Sequence, residues 1–290
     1  MTLLHLTGTG GGLGPTLAIA GVLVVLGCWY AIGLWEVLDH PQGRRQQRTR
    51  APAVIAGVVL LVAVSVPPLG DTLENRLSTH MAQHLVILVV VAPLLAVGSP
   101  GQVLLAGLAP GVRRPLVATA RRVPGRTLAT PLGWLLSVAG LWVWHLPAAY
   151  DAAVRSPGVH VLEHATFLLT GWLFWARLVH LVRTPGRGIA AAAYVAAAVP
   201  PGAALGAVLT FADHPLYPLQ AAHARATGVD PLLDQRIAGI VMWVPLDLVY
   251  LAVAIALFAR WLSELQGGDG EVDVGSTLPS DARPAHLEVR

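Results

Sequence analysis

The sequence holds a single cysteine (Cys28), three methionines and no lysine, and only 12% of its 290 residues are charged. One cysteine excludes an intramolecular disulfide framework and any multi-thiolate metal cage. Soluble domains carry roughly 25% charged residues, and this chain combines half that share with 55% hydrophobic residues and a mean hydropathy of +0.64. A water-soluble globular fold is excluded on that ground. Without lysine, all 19 basic side chains are arginine. The net charge of +3 and pI near 9.5 would suit a nucleic-acid binder. The arginines, however, fall between long apolar runs instead of on one domain face, so no nucleic-acid partner is expected. Also missing are a P-loop, a dinucleotide fingerprint, a His-Glu-x-x-His zinc motif and a Gly-x-Ser-x-Gly elbow.

What is present is a series of apolar runs long enough to cross a bilayer, which takes about 20 residues in a helix. Seven stretches qualify, at 13–38, 52–69, 78–98, 128–146, 159–181, 189–211 and 237–259. Their continuity argues for helices over barrel strands. The fold class expected is therefore an all-α integral membrane protein with seven transmembrane helices in contact with lipid. One side carries Arg44, Arg45, Arg48, Arg50, Arg113, Arg114, Arg121, Arg122, Arg126, Arg177, Arg183, Arg187 and Arg260; the other has only Arg76, Arg155, Arg225 and Arg236. By the positive-inside rule the N-terminus lies outside and the C-terminus in the cytoplasm. Residues 1–12 read as a flexible Gly-rich lead, 13–262 as one membrane domain and 263–290 as a disordered cytoplasmic tail. Residues 102–123 read as an amphipathic segment on the inner membrane surface.

This topology sorts the histidines unequally, gathering eight of them on or near the outer side. The sharpest elements are His80/His84 and His160/His164, which open the third and fifth spans. Residues four apart on a helix share a face, so each pair can offer two imidazoles to one ion. His145 ends the fourth span in the run Trp144-His145-Leu146-Pro147 and brings a fifth ring to a similar level. A lone intramembrane histidine is more often a hydrogen-bond partner between helices. Two pairs plus His145 at one depth favour a metal or cofactor site. Glu163 is placed to orient a ligand by accepting its second N–H, and Asp151 and Asp234 add carboxylates at the same surface. Imidazole suits copper, zinc, iron and nickel. Met81, beside His80, offers one thioether. Asp247, deep in the seventh span after Pro245, is a separate intramembrane polar site, for proton or ion passage or simply for bonding a neighbouring helix.

Several of these segments occur together in a known family. His80-Met81-Ala82-Gln83-His84, continuing to Ala92-Pro93-Leu94-Leu95 and Gly98-Ser99-Pro100, resembles the opening motif of the CtaG family of cytochrome c oxidase assembly factors. Trp144-His145-Leu146-Pro147 with Tyr150-Asp151, then His160, Glu163-His164, Phe167 and Trp175, is similar to its central motif. Gly202 to Leu209, Leu216-Tyr217, Asp234-Gln235, Gly239 and Met242-Trp243 are similar to its closing section. The likeness covers roughly residues 15–262. It implies a multi-pass plasma-membrane protein, not a conventional enzyme, that acts with cytochrome c oxidase subunits at the copper-insertion stage. Carried over by motif, His80, His84, His145, His160 and His164 match the family's histidines, and Asp234 and Gln235 match its polar pair. Asp247 falls outside the pattern.

The resulting expectation is a copper ion held by His80, His84, His145, His160 and His164, three or four at a time, with Glu163, Asp151, Asp234 and Gln235 around them. The alternatives are a haem protein using one histidine from each pair as axial ligands, and a scaffold for oxidase subunits whose histidines only join helices.

Overall fold

A computed structural model describes residues 14–66, 74–122 and 125–268, apart from the side chains of 14–24, 26, 119–130 and 267–268. The described residues form helices joined by short turns. In chain order these are α1 (Gly14–Leu38), α2 (Pro41–Ser65), α3 (Leu77–Gly98), α4 (Pro100–Ala106), α5 (Pro110–Arg122), α6 (Gly125–Trp144), α7 (Pro147–Arg155), α8 (Pro157–Arg183), α9 (Gly188–Phe211), α10 (Pro218–Ala226) and α11 (Pro231–Gly268). Proline begins many of them, where its fixed φ suits the first turn and its missing N–H is no loss.

Five described helices, α2, α3, α8, α9 and α11, are long and apolar enough to cross a membrane, and α6 with α7 makes a sixth if that pair, bent by 73°, counts as one span. Against the expected seven, the count among the described residues is thus five or six. The run at 13–38 does form helix α1, but the side chains of its first part lie outside the described residues. The second span differs more. The arginine-rich segment 40–50, expected as a loop, is the opening of α2, because Pro41 starts a new helix at once after Asp39 and His40. Arg44 Nε there donates to the Leu38 carbonyl at 2.6 Å, closing the end of α1. The segment expected at 102–123 is two helices, α4 and α5. Helix α11 runs through Gly268, past the boundary expected at 262; residues 1–12 and 269–290 lie outside the described residues.

The outward stripe of α11 consists of Ile237, Ile240, Val244, Leu248, Leu251 and Ile255, all exposed. An apolar stripe at helical spacing with nothing over it is what lipid contact requires. Its opposite face packs on α9 through glycines. A Cβ at Gly206 would run into the Trp243 side chain, and one at Gly239 into Thr210. Close approach of this kind is how helices gain dispersion contact where no water drives them together.

Helices α3 and α8 run parallel, since their contacts advance in step: His80 meets His160, His84 meets Phe167, and Leu88 meets Gly171 and Trp175. Just beyond His84, residues Ile87–Val91 form a π-helical turn in which the Ala92 N–H reaches the Ile87 carbonyl five residues back. The next residue, Pro93, has no N–H to give. In the widened register its partner would be Leu88, and that carbonyl instead accepts the Trp175 indole N–H at 2.8 Å. Proline thus frees an acceptor, and a tryptophan of the neighbouring helix satisfies it. At the end of the bundle away from the histidines, Arg50 donates to Gln102 and Arg260 to the Val182 carbonyl.

Gly206→Val, which drives a side chain into Trp243, should lower the thermal midpoint of the detergent-purified protein by about 5 °C or more. An unchanged midpoint in a melt followed by size-exclusion chromatography would contradict the close α9–α11 contact.

Candidate metal centre

The first turn of α3 carries no cap of its own, as Arg76 makes no side-chain capping bond. The cap comes from another helix. Asp234, in the first turn of α11, accepts the Leu77 N–H at 2.8 Å, the Ser78 N–H at 3.3 Å and the Ser78 hydroxyl. Exposed donors at a helix start are a strong site for a carboxylate. This bond fixes where α3 begins and so where His80 and His84 stand. Gln83 fastens the same turn from the other side by donating to the Val64 carbonyl of α2 at 2.7 Å. In α8, Pro157 starts the helix after Ser156 and puts His160 and His164 in the first two turns.

The two histidine pairs meet. Ring centroids lie 4.2 Å apart for His80–His84 and for His160–His164, 5.4 Å for His80–His160 and 5.1 Å for His84–His164. Glu163 lies among them, fully buried, with its oxygens 3.9 Å from His80 Nε2 and 3.8 Å from His84 Nε2. One ligand atom from each of His80, His160, Glu163 and His164 falls within 4.8 Å of all the others. From the sequence Glu163 takes an outer, orienting place; in the fold its carboxylate stands among the donors themselves.

Buried polar atoms are nearly always hydrogen-bonded, and here many are not. Both ring nitrogens of His84, Nε2 of His160, Nε2 of His164 and both oxygens of Glu163 have no hydrogen-bond partner. Each neutral imidazole of the four-residue group can turn one lone pair toward the space it shares with Glu163, whose carboxylate balances a positive charge. Two helix N-termini aim their partial positive ends at the same region, and Glu163 offsets them. Three imidazoles and a carboxylate suit a borderline divalent ion such as Cu(II) or Zn(II). At the rim, His160 Nδ1 lies 3.7 Å from Glu74, a residue the sequence reading missed because nothing periodic links it to the pairs.

The other expected residues separate. His145 is buried but turns away from Glu163: its Nδ1 meets the Leu141 carbonyl at 2.6 Å and its Nε2 meets Met81 Sδ at 3.1 Å. It therefore stands outside the four-residue group. Its backbone is held by Tyr217, whose hydroxyl donates to the His145 carbonyl at 3.0 Å. Burial and the nearby Glu163 carboxylate raise the Tyr217 pKa above the ordinary phenol value, keeping that donor protonated. Gln235 is a clamp: it accepts the Leu216 N–H at 2.6 Å and donates to the Leu209 and His214 carbonyls. Asp234 and Gln235 thus position the site through the backbone and touch no imidazole. Asp151 pairs with Arg155 at 3.5 Å. Asp247 faces Gly202 of α9, is half-buried, and is not brought to the histidines.

If Asp234 sets the start of α3, Asp234→Ala should cost about 1–2 kcal/mol in unfolding free energy, the upper range for a lost cap. Asp234→Asn, which keeps an acceptor oxygen, should lose less than half as much. Equal losses in denaturant titrations would contradict the capping role.

Residues 28–264 match the family model for the cytochrome c oxidase caa3 assembly factor. A curated relative, an uncharacterized protein of Mycobacterium leprae, is 26% identical over 258 residues, covering 84% of this chain and 38% of that protein, so the chain spans well under half the relative's length. No solved structure matches. The matched region includes every histidine of the cluster together with its cap and clamp, and the chain belongs to the Caa3_CtaG family of cytochrome c oxidase caa3 assembly factors.

Proposed function

We propose that this protein binds copper as cargo at the cluster of His80, His84, His160, Glu163 and His164 and passes it to cytochrome c oxidase during assembly, without catalysing a reaction of its own. The observation that carries the reading is the buried Glu163 carboxylate, which makes no hydrogen bond and lies among imidazoles of which His84, His160 and His164 also have ring nitrogens without a hydrogen-bond partner. A charge so placed is costly unless a counter-ion joins it. Family membership supplies the process, and the donor set supplies the chemistry. The cluster offers more donors than one ion uses, so three or four bind at a time and the remainder assist exchange. His160 is the most exposed ring of the set, and the side it shares with Glu74 is the path for transfer.

In this reading the chain lies in the plasma membrane with lipid around α11, its N-terminus outside and its arginine-rich end in the cytoplasm. The histidine end then faces the compartment from which copper arrives. Oxidase subunits are the partners. A haem is disfavoured, because the rings interleave edge to face and a macrocycle slid between any two would displace the others. A pure scaffold is disfavoured by the same orphan atoms: histidines that merely joined helices would be hydrogen-bonded.

The test is metal content and affinity of the protein purified in mild detergent. About one copper per chain is expected. Glu163→Gln and the double variant His80→Ala/His84→Ala should each weaken Cu(II) binding by about tenfold or more, the scale on which changes around a ligand act. Full Cu(II) binding in both folded variants would rule out this cluster. A folded wild type that cannot take up copper would turn the reading to the scaffold, and a Soret band to haem.

A further inference from the structure

The Glu163 cluster holds donors for one ion. Next to that cluster is a second pair of donors, Met81 and His145, that it does not use. Met81 is fully buried and His145 nearly so. The Leu141 carbonyl, 2.6 Å from His145 Nδ1, can only accept, so the ring proton sits on Nδ1. His145 has no carboxylate within ion-pair distance among the described residues, and a buried ring without one is neutral. Its Nε2 then carries a bare lone pair, and that lone pair faces Met81 Sδ at 3.1 Å. A thioether has no proton to give. Two acceptors thus face each other inside the protein with no donor between them.

We propose that Met81 Sδ and His145 Nε2 form a second, softer metal position that takes Cu(I), with His84 as the imidazole shared between it and the Glu163 cluster. This rests on the copper reading and extends it from one position to two. With metal–nitrogen and metal–sulfur legs of about 2.0 and 2.3 Å, the 3.1 Å separation makes the two atoms neighbouring ligands of one ion, at an angle of roughly 90°. Thioether sulfur selects soft monovalent copper, whereas the imidazole–carboxylate set suits the divalent ion. Charge agrees with softness. The Met81–His145 pair brings no anion and fits a single positive charge, while Glu163 stands with the group that would hold two.

His84 is placed to belong to both positions. Its ring centroid is 6.3 Å from that of His145 and 5.1 Å from that of His164, and neither of its nitrogens has a hydrogen-bond partner. Phe167, itself fully buried, packs on His84 at 4.6 Å and on His145 at 6.2 Å, so the soft position is dry. Water, a ligand that favours divalent ions, is kept from it.

The experiment uses the full chain, metal-free in detergent, titrated anaerobically with Cu(I) against a chromophoric Cu(I) chelator and separately with Zn(II). Met81→Leu nearly conserves volume. It should weaken Cu(I) binding at least tenfold and leave Zn(II) binding unchanged, while Glu163→Gln should do the reverse. X-ray absorption of Cu(I)-loaded wild type should contain a sulfur scatterer at about 2.3 Å, lost in Met81→Leu. Wild-type Cu(I) affinity in Met81→Leu with Zn(II) binding intact would overturn the soft position alone. Absence of both ions from the folded protein would overturn the copper reading and this extension together. Should Met81→Leu fail to fold, the wild-type spectrum decides: no sulfur neighbour means no such position.

Discussion

A carboxylate buried inside the helix bundle without a hydrogen bond is the constraint that organises this molecule. Glu163 is fully enclosed, and the His80 and His84 rings stand about 4 Å from its oxygens, too far for hydrogen bonds and well placed for an ion between them. Keeping such a group in a low-dielectric interior demands a rigid surround. Much of the polar inventory of this end of the bundle supplies it. Asp234 holds the start of α3, Gln83 ties that turn to α2, Gln235 pins the chain before α10, and Tyr217 carries the restraint to His145. Each of these bonds runs between a side chain and a backbone atom of another segment, so the restraint acts on where helices stand more than on single rotamers.

The membrane class, most of the helices and the residues of the cluster were legible from the chain. Long apolar runs and the i, i+4 histidine pairs are local signals that survive without tertiary knowledge. The role of each residue was less accessible. Glu163 reads as an outer helper because a Glu beside a His-x-x-x-His pair lies off the pair's own line; only the parallel arrival of α3 turns it inward. His145 reads as a fifth ligand because it ends a span at the right depth, yet a carbonyl one turn back fixes its tautomer and swings Nε2 to Met81. Asp234 reads as a charge near a metal and is a cap for a helix more than 150 residues away in sequence. Depth along a helix is written in the chain; rotation about its axis and choice of neighbour are not.

The arginines illustrate the same limit from the other side. Their bias was plain in composition, but the expected loop between the first two spans is a helix, because Pro41 begins one almost where α1 stops. Arg50 and Arg260, far apart in sequence, both end on acceptors of neighbouring helices. Arg260 closes the end of α8 at the Val182 carbonyl, and Arg50 ties α2 to α4 through the Gln102 side chain.

The π turn of α3 has a consequence for how this gene can tolerate change. A π turn accommodates one residue more than the α-helix it interrupts, and each residue in an α-helix turns the chain by about 100°. Deleting one codon within Ile87–Val91 would let α3 close into a regular helix and leave His80 and His84 in phase with Ala92, because the turn absorbs its extra residue locally. A single deletion elsewhere between His84 and Gly98 has no such turn to absorb it and would swing both histidines by about 100° away from the face that packs on Gly171. The π turn is thus the one place in α3 where the chain can change length without dismantling the cluster.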